Sequence, residues 1–302
     1  MVEVWIVVLR GVQYAAGALL LGLPAFMLYS ARAVGPLNLR WPRPTIAWAA
    51  AVLMVAAPAA LLAQTAMMAG SLSAALKPEA LGFMVTGMGL GKALVVRMLA
   101  AALALAVALL LLRPGRLAWS VLALLGLVVS ASFAWTGHGA ATQGPGHLIH
   151  LASDITHAVA ASIWVGALAA FAVLIVRRPS ADPAWDAGVA RSLTGFAGVG
   201  TAAVGALVVT GLINSVYLVG VSKVLSLTAS PYGVLLMIKL ALFGLMVCLA
   251  AANRFRLAPL MARDAGQAMP HLKKSLVIEF AMALAILAVV AVMGVQPPPA
   301  SL

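Results

Sequence analysis

Three histidines and an aspartate recur on one short stretch, His147-Leu-Ile-His150-Leu-Ala-Ser-Asp154-Ile-Thr-His157. On a helix of 3.6 residues per turn, positions 147, 150, 154 and 157 share an arc of about 80° and climb about 15 Å along the axis. Imidazoles and a carboxylate placed in this way bind a transition-metal cation or pass a proton along the stripe. A polar seam that packs one helix against its neighbours uses the same residue types. His138 lies a little upstream, within reach of the same stretch. Thioethers gather elsewhere: Met67 and Met68 are adjacent, Met84 and Met88 stand at i,i+4 spacing, and Met293 lies near the end of the chain. Soft sulfur suits Cu(I), whereas imidazole also accepts Cu(II) and zinc. Taken singly, each methionine is better explained as packing or interfacial contact than as a ligand.

The elements that must position these groups follow from composition. The 302 residues are 64% hydrophobic and only 9% charged, with a mean hydropathy of +1.11. A water-soluble domain needs about a quarter of its residues charged, so the surroundings of this chain are largely lipid. A helix crosses the hydrocarbon core with about 20 apolar residues. Eight such runs are present, at 5–29, 45–69, 91–112, 117–135, 148–176, 194–218, 233–253 and 274–294. The sequence therefore predicts an all-α polytopic membrane protein of eight transmembrane helices, with residues 1–302 forming a single integral-membrane domain. The first run does not read as a cleaved signal, because Glu3 stands where a cationic segment is needed. Turn residues such as Arg113-Pro-Gly-Arg116 and Gly144-Pro-Gly146 mark the connectors. The lone Cys248 excludes a disulfide framework and CxxC-type motifs.

Charge placement sets the expected topology. Arg32, Arg40, Arg43, Arg113, Arg116, Arg177, Arg178, Arg191, Arg254, Arg256, Arg263, Lys273 and Lys274 fall in the loops after the odd-numbered runs. The other loops hold little beyond Lys77, Lys92 and Lys223. By the positive-inside rule the odd loops are cytoplasmic and both termini face the periplasm. This asymmetry accounts for the net charge of +12 without nucleic acid as a partner. Arg10, Arg97, Lys239 and Asn214 each lie a few residues inside the outward ends of their runs, at the depth of Asp154 and His157. Snorkelling of the cations to the interface is one account. The other is a polar layer inside the bundle, in which the cations approach one another or Asp154 around a cavity open to the outside. Glu279, near the opposite end of the last run, is expected to pair with a loop arginine.

Several catalytic signatures are missing. Gly87-Met-Gly-Leu-Gly-Lys92 imitates a phosphate loop, but Thr86 and Ala93 occupy the positions of its first Gly and its Ser/Thr. Neither GxSxG nor HExxH occurs, so hydrolase chemistry is unsupported; the chain is not expected to be an enzyme, with membrane redox activity left open. The stretch Asp154-Ile-Thr-His157, followed by Ala-Ala-Ser-Ile-Trp164-Val-Gly166, resembles the copper-resistance protein D (CopD-like) family of bacterial inner-membrane proteins. The resemblance continues through Gly91, Arg97, Gly211, Asn214, Tyr232-Gly233, Lys239, Asn253-Arg254-Phe255, Glu279 and the closing Pro-Pro. It implies copper homeostasis, with copper imported across the inner membrane in concert with a periplasmic copper-binding protein of the copper-resistance C type. Copper, as Cu(I) or Cu(II), is then the expected ion. His150, Asp154 and His157 are its candidate ligands, assisted by His147 and His138 and by soft partners among Met67, Met84, Met88 and Met293. Two rival readings remain at this level. One is a haem b oxidoreductase with Arg10, Arg97 and Lys239 on the propionates, although only His157 is clearly within a span. The other is a non-transporting scaffold that docks a copper chaperone.

Overall fold

The computed structural model describes residues 2–37, 39–110, 115–137, 140, 142, 144–179 and 182–301. Among them there is no strand, and eight helices are long and apolar enough to span a bilayer. These are α1 (Val2–Tyr29), α2 (Pro42–Ala69), α3 (Gly89–Leu110), α4 (Arg116–Trp135), α5 (His147–Val176), α6 (Pro183–Leu218), α7 (Pro231–Arg263) and α8 (Ala265–Met293). In lipid each backbone N–H and C=O must be satisfied within its own segment, which leaves the helix as the only solution for isolated apolar runs. The helices alternate in direction. One end of the bundle carries the N-terminus, the end of α4 and the start of α5; the other carries the arginine-rich turns.

Six of the eight spans begin within three residues of the run read from hydropathy; α6 and α8 begin well before theirs, and α7 runs past its expected end. The reason is local. Asp182 accepts hydrogen bonds from the N–H groups of Ala184 and Trp185, with Pro183 in the first turn, and Asp264 accepts one from Gln267. Both are N-caps that start helices outside the apolar zone. Arg191, Arg254, Arg256, Arg263, Lys273 and Lys274 consequently lie on helices rather than in loops. In α7 the Asn253–Leu257 segment widens to a π-helix just before Pro259, which has no N–H to donate to the preceding turn. The expected end of α3 at 112 lies outside the described residues.

Helix α5 occupies the centre. It packs on α1, α4, α6 and α8, and its apolar window is 67% buried, the largest share of any span. Its closest neighbour is α1: a Cβ on either Gly22 or Gly166 would overlap the backbone of the other helix. Without a hydrophobic drive between helices in lipid, such small-residue contacts carry the association. Gly126 brings α4 against Leu20 and Leu21 of α1 in the same way. A single buried apolar cluster draws residues from all eight helices.

Candidate metal site and the charged layer around it

The start of α5 is fixed by Gly146, whose φ of 90° is open to glycine at little cost. A Cβ there would also strike the Tyr217 ring. That ring, from α6, stacks on His150 with centroids 4.7 Å apart and planes 5° from parallel. His150 is fully buried, and its Nδ1 lies 2.6 Å from Thr142 Oγ1. One turn earlier His147 is exposed, with Nδ1 3.2 Å from the carbonyl of Gly144. His138 lies outside the described residues.

Deeper along the stripe, α5 meets the last third of α6. Asp154, half-buried, accepts one long hydrogen bond from Asn214 Nδ2, at 3.4 Å. His157 Nδ1 lies 2.9 Å from Thr210 Oγ1, and Thr210 donates its single hydroxyl proton to the carbonyl of Ala206 at 2.6 Å. Thr210 must therefore accept from His157, which places the imidazole proton on Nδ1 and leaves the Nε2 lone pair available to a cation. Ser153 donates to the carbonyl of Thr210 and pins the same turn of α6. Lys239 of α7 lies near enough for its charge to act on both Asp154 and His157, yet no cation stands within ion-pair distance of Asp154 among the described residues. Asn214 Oδ1 is buried without a hydrogen bond among the described residues. His157 Nε2, the Asp154 carboxylate and the Asn214 carbonyl oxygen are thus donor atoms not fully engaged.

The stripe does not close into a cage. Among the described residues no three His, Cys, Asp or Glu side chains come together at metal-binding range, because His150, Asp154 and His157 turn to three different partners. The methionines scatter. Met67 and Met68 are exposed at the end of α2. Met84 is buried where the short helix Pro78–Gly87 crosses Gly91, and Met88 is half-buried beyond it. Met293 packs into an apolar cluster with Val219, Tyr232 and Leu236.

Arg10 and Arg97 turn inward, both buried. Arg97 makes four hydrogen bonds: Nε to Ser132 Oγ at 2.9 Å, Nη1 to Gln13 Oε1 at 2.5 Å, and Nη2 to Ser132 O at 3.1 Å and Thr136 Oγ1 at 3.3 Å. Its guanidinium also sits 4.3 Å above the Phe133 ring, a cation–π contact of about 0.5–2 kcal/mol. Arg10 Nη2 donates to the carbonyl of Thr136 at 3.0 Å. The same guanidinium fits against Gly294, where any side chain would displace it, beside the negative end of the α8 dipole. Gly137 follows Thr136 directly and approaches Asp154, so α4 connects the two arginines to the α5 stripe. Gln13, Ser132, Thr136 and Thr210 were not singled out from sequence. Neutral polar residues are common in spans, and only tertiary pairing distinguishes them. Glu279 differs from expectation: it is buried and accepts from Asn253 Nδ2, not from a loop arginine. Arg254 instead reaches Thr201 and Ala197, and Arg178 pairs with Asp186 through two 2.6 Å contacts that raise its pKa.

Comparison with known proteins bears on this arrangement. The copper resistance protein D-like N-terminal domain matches residues 1–148, and the copper resistance protein D family matches residues 190–293. Copper resistance protein D of Pseudomonas syringae pv. tomato is 34% identical over 307 residues, covering 97% of this chain and 96% of that protein. The chain belongs to the copper resistance protein D family. Copper transport protein CutJ of Bacillus subtilis (strain 168) is 29% identical over 177 residues, 58% of this chain but 29% of that protein. Inner membrane protein YebZ of Escherichia coli (strain K12) is 26% identical over 180 residues, 58% of this chain and 59% of that protein. No solved structure matches. With eight apolar helices, this family member is a multi-pass protein of the inner membrane. The two family matches fall on either side of α5, the helix that joins them in the bundle.

Proposed function

We propose that this protein takes copper from the periplasm and passes it inward, using Asp154 and His157 as the first intramembrane ligands. The observation that carries the reading is their proximity in the bundle of a copper resistance protein D family member: an intramembrane carboxylate with no ion-pair partner among the described residues, one turn from an imidazole whose Nε2 lone pair is free to bind. Ionisable groups at such depth are costly and are retained for ion handling. Asn214 Oδ1 lies beside them, and His147 and His150 stand between them and the bundle end. No nucleotide-binding loop is present in the sequence, so the membrane potential is the natural drive. A cation moving to a negative interior gains about 2.3 kcal/mol per charge per 100 mV. The loop charges support periplasmic termini, which turns the His147–His157 end outward. A periplasmic copper-binding protein of the copper-resistance C type is the fitting donor.

The reading is tested by cellular copper content in cells expressing the protein against vector controls, with reporter fusions at residue 301 and within residues 254–263 to fix orientation. Expression should raise cell copper, and the two fusions should report opposite sides, the C-terminal one periplasmic. Unchanged or lowered copper overturns inward movement. A finer test is Thr210→Val, which removes the acceptor that fixes the His157 tautomer. Supports of this kind set metal affinity by about 10–100-fold, so copper titration of the purified variant should show at least about tenfold weaker binding while thermal stability changes little.

A further inference from the structure

Among α1, α2, α3 and the end of α4 lies a cavity of about 20 Å³, with a polar wall made by Arg10, Gln13, Tyr14, Gln64, Arg97 and Thr136. Its size admits a single water-sized or monatomic occupant. The wall carries two guanidinium charges, on residues that are 8% and 2% exposed, and among the described residues neither has a carboxylate within ion-pair distance. All their hydrogen bonds go to neutral oxygens. Donors are left over: Arg10 Nη1 is buried with no acceptor, and Tyr14 and Gln64 make no side-chain hydrogen bond among the described residues. The Gln13 amide is already used, its N–H groups on the carbonyls of Leu9 and Ala56 and its oxygen on Arg97. Tyr14 stands within electrostatic reach of Arg10, Arg97 and Asp154, but that carboxylate also faces Lys239. The end of α8 beside Arg10 contributes about half a negative charge at most, too little for two guanidiniums. A water molecule would accept hydrogen bonds yet leave both charges uncompensated inside a lipid-surrounded bundle, which is strongly unfavourable. A small anion supplies both.

We propose that the Arg10–Arg97 cavity binds a halide-sized monovalent anion, chloride under cellular conditions. Its position explains how a layer with Arg10, Arg97 and Lys239 against one aspartate tolerates an incoming cation: the anion cancels one of the excess charges next to the α5 stripe. The site goes beyond the copper reading and is tested without copper, so the two fail separately. The measurement is the unfolding midpoint of the copper-free purified protein as sodium chloride or sodium bromide replaces sodium gluconate at constant ionic strength. Both halides should raise the midpoint saturably. Arg10→Gln should keep a cooperative transition in gluconate while its apparent halide affinity falls at least about tenfold, the scale of one lost charge-assisted hydrogen bond. Tyr14→Phe, which keeps both charges and the T-shaped contact with Phe133, should weaken the response and provides the second variant if Arg10→Gln does not fold. Equal midpoints in halide and gluconate overturn the proposal, as does a response unchanged in every variant that folds.

Discussion

Asp154→Asn and His157→Ala should each reduce copper accumulation to the vector level while the protein reaches the membrane in normal amount. The asymmetry between function and folding follows from what each side chain touches. Among the described residues Asp154 has one hydrogen bond, a long one of 3.4 Å, and asparagine preserves its shape, so the lost hydrogen bond itself costs the fold about 1 kcal/mol. His157 is held by one hydrogen bond, to Thr210, and truncating it leaves a hydroxyl that still donates to Ala206. His150 gives the contrast. It is fully buried between the Tyr217 ring and Thr142, so His150→Ala removes packing from the α5–α6 contact and should lower membrane abundance along with copper uptake. Cell copper divided by membrane abundance separates the cases. The ratio should collapse for positions 154 and 157 and hold for position 150. A normal ratio for the Asp154/His157 double variant would remove these residues from the path.

How much of this was legible in the residues depends on the length scale. Each span contains its own apolar run, and the cost of exposing backbone to lipid is local, so hydropathy located all eight. It failed at the starts of α6 and α8 because a helix that continues into water keeps no apolar signature. Asp182-Pro183 and Asp264 were the signals there, and they are capping signals. The polar layer was visible at Arg10, Arg97 and Lys239, since cations inside an apolar run stand out. What satisfies Arg97 was not: Gln13, Ser132 and Thr136 come from two other helices, and no spacing rule links position 97 to 13 or 136. The helical stripe from His147 to His157 exists as the spacing implied, yet stacking on Tyr217 and pairing with Thr210 and Asn214 turn its members to separate partners. Those partners sit on α6, and a one-helix argument has no access to them. The thioethers were the weakest signal, and Met84 and Met293 are packed as the apolar filler that methionine so often is.

Gly166→Leu should give a severe loss of folded protein. The Cβ of any residue at 166 falls on the backbone of Gly22, and one at 22 falls on Gly166 and the carbonyl of Ser162; backbone cannot rotate away as a side chain can. Extra methylenes forced into a tight core cost about 1–3 kcal/mol even where neighbours adjust. Here the neighbours are two helix axes, so α1 and α5 must separate along their length. That separation forfeits the close contact on which helix association in lipid depends. It also displaces α5 from the centre, where it meets α4, α6 and α8. Gly205→Leu in α6 is the matched control, because a Cβ there meets nothing within 4 Å and the added side chain projects from an exposed position. Detergent size-exclusion profiles of fluorescent fusions should show a monodisperse peak for Gly205→Leu and aggregate or no peak for Gly166→Leu. Equal profiles would mean that the α1–α5 crossing does not hold the bundle together.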